Sequence, residues 1–119
     1  MSASDSIFAR LMRVIADRKR EPTARSYTAS LLAGGVEKIG AKVREEAAEV
    51  VEAAAETGPD ARAHFVHEAA DLLFHLFVLL GYKDTPLEDV EAELERRFGT
   101  SGLAEKAART QSPQTPDSR

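Results

Sequence analysis

Residues 36–80 read VEKIGAKVREEAAEVVEAAAETGPDARAHFVHEAADLLFHLFVLL, and this stretch decides the fold. Ile39, Val43, Val50 and Ala54 recur on one side of a segment rich in Ala, Glu and Lys, which predicts a long amphipathic helix. Gly58 and Pro59 stop it, and Asp60 is placed to cap a second helix. In that second helix Phe65, Ala69, Leu72, Leu73, Leu76, Phe77 and Leu80 form an apolar surface broader than one neighbour covers. The turn between the two permits an antiparallel pair, with the second helix touching several partners.

Working outward, Phe8, Leu11, Met12 and Ile15 mark a first amphipathic helix after Ser4 and Asp5, with a basic end at Arg18 to Arg20. Pro22 favours departure from helical geometry, and Ser26 to Leu32 form a short helix or turn that Gly34 and Gly35 interrupt. On the other side, Thr85 as N-cap, Pro86 at the first helical position and Glu88 three residues later predict a closing helix. Leu87, Val90 and Leu94 give that helix its apolar face. Thr110 to Arg119 has two prolines and no hydrophobic residue, which predicts a flexible tail. No segment carries strand periodicity. The expectation is an all-α bundle of about four to five helices, completed by homodimerisation, with a domain over 5–98 and a tail over 99–119.

Composition narrows the chemistry. At 119 residues the chain supports one modest core, and its net charge of -4 gives no general attraction to nucleic acid. Without cysteine, disulfides, thiolate nucleophiles and cysteine-ligated metals are excluded. The first residues show no secretory pattern, and Asp71 and His75 interrupt the longest apolar run. A cytoplasmic protein with neither membrane nor nucleic-acid partners is the expectation.

The acids carry the functional signal. Glu46 and Glu49 on the first central helix, and Glu68 and Asp71 on the second, are each spaced i to i+3 and so share a helix face. If the two faces oppose, four carboxylates converge, which is unfavourable unless a cation neutralises them. Oxygen ligands suit Mg²⁺, with Mn²⁺ as substitute, and such an ion binds carboxylates and substrate phosphates together. Glu46 and Asp71 sit among apolar neighbours, which predicts restricted solvent at both. Glu45 extends the same acidic helix and either supports a ligand, approaches the metal through water or faces solvent. Lys42 pairs with Glu46 or reaches a phosphate, and Arg18 and Lys38 are further phosphate candidates. The competing interpretation is a solvated acidic face with ordinary salt bridges. His64, His67 and His75 make no obvious zinc triad, and His75 on an apolar face is expected as a hydrogen-bonded core or interface residue.

Those residues resemble the phosphoribosyl-ATP pyrophosphatases, within the wider all-alpha nucleotide pyrophosphatases. The resemblance runs from about Phe8 to Arg97. Its motifs are Ser26-Tyr27-Thr28, Lys38-Ile39, Lys42-Val43, Glu45-Glu46-Ala47-x-Glu49-Val50 and Glu68-Ala69-Ala70-Asp71-Leu72-Leu73-Phe74-His75-Leu76. Phe74 stands where this branch often has tyrosine. The resemblance implies hydrolysis of 1-(5-phospho-β-D-ribosyl)-ATP between its α- and β-phosphates, giving the AMP derivative and pyrophosphate in histidine biosynthesis. It also implies a homodimer and a Mg²⁺ site formed by Glu46, Glu49, Glu68 and Asp71. Glu45, Glu46 and Glu49 are the catalytic candidates, and Arg18, Lys38 and Lys42 the phosphate-binding ones. A housekeeping nucleoside triphosphate pyrophosphatase is the alternative enzyme, and a helical interaction protein the alternative of another class.

Overall fold

The structure, a computed structural model, describes residues 6–23 and 25–99. Among these residues it holds four helices and no strand: α1 (Ile7–Arg20), α2 (Tyr27–Ala54), α3 (Ala61–Tyr82) and α4 (Leu87–Phe98). The all-α expectation is met. Ser4, Asp5 and Thr110 to Arg119 lie outside the described residues, and so does the proposed tail apart from Gly99.

Ser6 caps α1, its Oγ accepting from the Ala9 N–H at 3.0 Å. Ser26 caps α2 in the same way, accepting from the Ala29 N–H at 3.0 Å. Asp60, predicted as a side-chain cap for α3, supplies only its backbone: its carbonyl accepts from the His64 N–H at 3.1 Å, and its side chain makes no cap bond. Its helix-like φ of -98° and ψ of 0° depart from the extended backbone that a capping side chain normally requires. At the start of α4, which begins at Leu87, Thr85 Oγ1 donates to the Lys83 carbonyl at 3.2 Å.

The decisive feature of α2 is its break at Gly35, where φ is 70° and ψ is -163°. This region of backbone space is essentially restricted to glycine. In a straight helix rising about 1.5 Å per residue, Tyr27 and Glu46 would stand roughly 28 Å apart. Instead both reach the imidazole of His75, so the limb 27–34 folds back beside the limb 36–54. The sequence-based short helix, glycine interruption and long helix are therefore all present. A Cβ at Gly35 would stand 3.2 Å from the Tyr82 hydroxyl, which shows how closely the bend meets α3.

Ile15, Leu31, Leu32, Ile39, Phe77, Val78 and Leu87 form the buried core, and Leu11, Met12, Val43 and Phe74 pack against it. Phe8 meets Phe77 edge to face, with centroids 5.4 Å apart. At the end of α3, Lys19 donates to the carbonyls of Gly81 and Tyr82 at 3.2 and 2.9 Å and to Asp84 Oδ1 at 2.7 Å. A cation thereby satisfies carbonyls at the helix terminus where the helix dipole is negative.

The contacts divide the chain into one unit ending at Leu87 and another beginning at Glu88. The second is described by its own pairs: Glu93 accepts from Arg96 and Arg97, each at 2.7 Å at the closest approach. These two arginines hold the Glu93 carboxyl down at about 2.

α3 is the one described helix long and apolar enough to cross a membrane, yet only 17% of that window is buried inside the chain. Phe65, Val66, Leu73 and Leu76 remain exposed on it. The core helix of a soluble bundle meets the same length and hydropathy criteria, and this one carries Glu68, Asp71 and His75.

Candidate active site

The i to i+3 spacing on α2 and the reversal after Ala54 bring Glu46 and Glu49 against Glu68 of α3. Carboxylate oxygens from the three lie within 4.8 Å of one another. Glu46 is the most enclosed, at 5% exposure, as its apolar sequence neighbours predict. Asp71 joins a second group, with Glu68 and His67, so Glu68 is common to both. The four predicted acids thus form a threefold convergence with Asp71 adjoining on the Glu68 side. Asp71 is less enclosed than expected: its side chain is 40% exposed and pairs with His67 at 3.3 Å. Its apolar sequence neighbours Leu72 and Leu73 lie on other faces of the helix.

Two observations describe the electrostatics of the convergence. Loss of solvent raises the Glu49 carboxyl above the ordinary carboxylate range, and the adjoining Glu68 carboxylate adds to this, followed by the charges of Glu45 and Glu46. Glu68 Oε1 is buried with no hydrogen-bond partner among the described residues. Its other oxygen meets His64 Nε2 at 3.1 Å, while His64 Nδ1 lies 2.9 Å from Glu56. The hydrogen bond to Glu56, and then its charge and Glu68, raise the His64 pKa against an opposing desolvation. Oxygen-only convergence with an unsatisfied buried oxygen is the donor chemistry that a hard divalent cation takes.

Glu45 is half exposed and lies outside the threefold group, with Oε1 accepting from Lys42 at 3.1 Å. Lys42 therefore pairs with Glu45 rather than with Glu46, which is held instead by His75. The Glu45 hydrogen bond raises the Lys42 pKa, and Tyr27, Glu45 and Glu46 contribute to the same direction by charge. Lys42 thus stands at the rim of the acidic group. Lys38 lies beside the Gly35 bend, donating to the Ser30 carbonyl at 3.4 Å. Arg18 is exposed on the last turn of α1 and makes no hydrogen bond to the acidic group among the described residues.

The three histidines form no triad; each meets a different part of the acidic site. His75 is 5% exposed, with Nδ1 at 3.0 Å from Glu46 Oε1 and 2.9 Å from the Asp71 carbonyl, and Nε2 at 2.8 Å from the Tyr27 hydroxyl. It is the hydrogen-bonded core residue its apolar setting predicts. The roles of Tyr27 and His64 beside the acids were not evident from spacing, because their partners come from elsewhere along the fold.

A family model described as phosphoribosyl-ATP pyrophosphohydrolase matches residues 8–98. The chain belongs to the phosphoribosyl-ATP pyrophosphohydrolase family. The match spans the acidic site and all four described helices but for Ile7. A phosphoribosyl-ATP pyrophosphatase of Geobacter metallireducens is 52% identical over 109 residues, covering 92% of this chain and 97% of the relative. Its counterpart in Rhodopirellula baltica is 49% identical, covering 84% and 83%. That of Neisseria meningitidis is 48% identical, covering 91% and 98%. The resemblance seen in the motifs is thus matched over 83–98% of the length of these relatives.

Proposed function

We propose that this chain catalyses phosphoribosyl-ATP hydrolysis with a divalent cation held between α2 and α3. It hydrolyses 1-(5-phospho-β-D-ribosyl)-ATP to 1-(5-phospho-β-D-ribosyl)-AMP and pyrophosphate, a step of histidine biosynthesis. Two observations carry the metal assignment: carboxylate oxygens of Glu46, Glu49 and Glu68 lie within 4.8 Å of one another, and Glu68 holds a buried oxygen that no described residue satisfies. Glu46, Glu49 and Glu68 would hold Mg²⁺, or Mn²⁺ in its place, and Asp71 would join from the Glu68 side. When bound, the ion supplies phosphate polarisation and a lowered pKa for water.

The chain's own groups divide the remaining work. Glu45, half exposed beside the convergence, is placed to orient the attacking water and accept its proton. Lys42 supplies positive charge at the rim, and its bond to Glu45 can exchange for a phosphate oxygen. Lys38 and Arg18 are assigned to phosphates farther from the reacting bond, Lys38 beside the glycine bend and Arg18 from α1. Positioning and charge neutralisation are the main demands of phosphoryl chemistry, so this division is sufficient.

The broad exposed face of α3 supports a homodimer. Phe65, Leu73 and Leu76 are each about two-fifths exposed there, apolar side chains that a second copy would cover. Light scattering over a micromolar concentration series should give twice the chain mass; a single-chain mass throughout contradicts the assembly.

Turnover of phosphoribosyl-ATP against ATP and non-standard nucleotides tests the substrate. The expected result is a strong preference for phosphoribosyl-ATP with pyrophosphate as product. Preference for an ordinary nucleotide would assign the chain to housekeeping pyrophosphatase chemistry, and no pyrophosphate from any of them would leave a helical interaction protein.

A further inference from the structure

The buried contact between His75 and Glu46 does more than fill the space between α2 and α3. His75 Nδ1 faces two acceptors, the Asp71 carbonyl at 2.9 Å and Glu46 Oε1 at 3.0 Å. A backbone carbonyl cannot donate, so Nδ1 carries the hydrogen and shares it between them. In the neutral ring Nε2 then accepts from the Tyr27 hydroxyl, 2.8 Å away. The imidazole is fixed at both nitrogens, and Phe74 closes on its side edge to face, with centroids 5.0 Å apart.

Tyr27 is unusual in this arrangement because the residue is 50% exposed while its hydroxyl is directed to a ring 5% exposed. Its ring stacks on Phe74 at 6.2 Å with an interplanar angle of 19°, which sets the direction of the hydroxyl. The Gly35 reversal brings it there, and the Ser26 cap fixes the first turn of its limb. A buried imidazole and a buried carboxylate are expensive to enclose, and an apolar pair would serve packing at least as well. What an apolar pair cannot do is hold a carboxylate in one orientation.

We propose that Tyr27 and His75 are positioning residues of the metal site: the Tyr27 hydroxyl holds the His75 ring, and the ring's Nδ1–H holds Glu46 so that this buried carboxylate meets Glu49 and Glu68 in one orientation. The assignment rests on the metal site proposed above. Ligand orientation by a second hydrogen-bonding layer typically changes metal affinity about 10- to 100-fold when lost. Here that layer is His75 of α3, held in turn by Tyr27 from the far limb of α2, so the fold-back at Gly35 serves the site as well as the core.

Mn²⁺ binding to the full chain without nucleotide, measured by calorimetry or by loss of the free-ion resonance signal, tests this directly. His75→Ala should weaken Mn²⁺ binding about 10- to 100-fold. His75→Asn returns an amide donor near Nδ1 and should recover most of that loss. Tyr27→Phe keeps the stack on Phe74 and should weaken binding severalfold. In the His75→Asn background the same change should do nothing further, because Nε2 is already gone. If His75→Ala fails to fold, the Tyr27→Phe pair decides the matter. Wild-type affinity in Tyr27→Phe and His75→Ala, alongside strong loss in Glu49→Gln, would overturn the positioning role and leave the metal site standing. Equal weakness in His75→Asn and His75→Ala would also overturn it, since the ring would then matter only for its volume. Failure of the unsubstituted protein to bind Mn²⁺ would remove the metal site and this role together.

Discussion

Two stretches of the same helix pair behave in opposite ways. Where Leu31, Leu32 and Ile39 meet Phe77 and Val78, the contact is dry and apolar. About two turns along α2, where Glu46 and Glu49 meet Glu68 and His75, it is charged and carries an unsatisfied buried oxygen. The first stretch gains free energy by removing carbon from water, at about 25 cal/mol per Å². The second sets like charges together, which raises the Glu49 carboxyl and opposes folding while the site lacks a cation. The apolar stretch therefore holds together a neighbouring site that would not assemble for its own sake.

Substitutions should separate the two. Glu49→Gln, nearly isosteric, is expected to reduce pyrophosphate release by on the order of a hundredfold or more, with helicity unchanged. The same change should leave the metal-free protein no less heat-stable. Glu49 has its folded pKa raised, so the folded state takes up a proton more readily than the unfolded one, and stability falls as pH rises through the interval between the two values. Removing the group removes that loss at neutral pH. A clear drop in metal-free melting temperature would show that Glu49 stabilises the fold, against the contrast drawn here.

The Gly35 bend belongs to both stretches, and its substitution should blur them. Gly35→Ala places a side chain at a φ of 70° and a ψ of -163°, and should cost about 1–3 kcal/mol in denaturant unfolding. Because the limb 27–34 carries Tyr27, turnover should fall as well. A loss in stability with full activity would mean that the limb's placement is immaterial to the site. Ile39→Val, by contrast, removes one methylene from a fully buried core position and should cost about 0.5–1.5 kcal/mol with kcat and KM of the folded protein unchanged.

The smallest effect belongs to α4. Glu93 is held at about 2 by Arg96 and then Arg97. A depressed carboxyl contributes stability above its unfolded value and loses it as pH falls through the folded one, so the contribution should persist at neutral pH and disappear only toward pH 2. An NMR titration of the Glu93 carboxyl should show the low midpoint, and Arg96→Gln should raise it. An ordinary midpoint would show the pair to be loose in solution.

The sequence made the helices and the acidic faces legible because both follow local periods. Glu46 and Glu49 share a face by spacing alone, and Ile39 and Val43 mark the side that packs. The glycine pair marked the interruption of α2, although the close approach of that bend to Tyr82 joins segments far apart in sequence. Contacts between distant segments were harder. Lys42 has acids at both i+3 and i+4, and the choice of Glu45 follows from His75 taking Glu46. The Tyr27 contact to His75 joins residues from two helices, so no window of sequence contains it. Asp60 has capping chemistry, but the helix-like backbone observed there leaves its side chain out of the cap.

The central claim is that hydrolysis proceeds with a divalent cation at the meeting of Glu46, Glu49 and Glu68. The most direct test follows pyrophosphate and phosphoribosyl-AMP release from phosphoribosyl-ATP by the full chain, first with metal chelated and then across a Mg²⁺ titration. The account predicts negligible turnover under chelation and recovery with Mg²⁺ to equal amounts of the two products, with the recovery curve displaced or abolished in Glu49→Gln. Full turnover under chelation, or an unchanged Mg²⁺ dependence in Glu49→Gln, would contradict it.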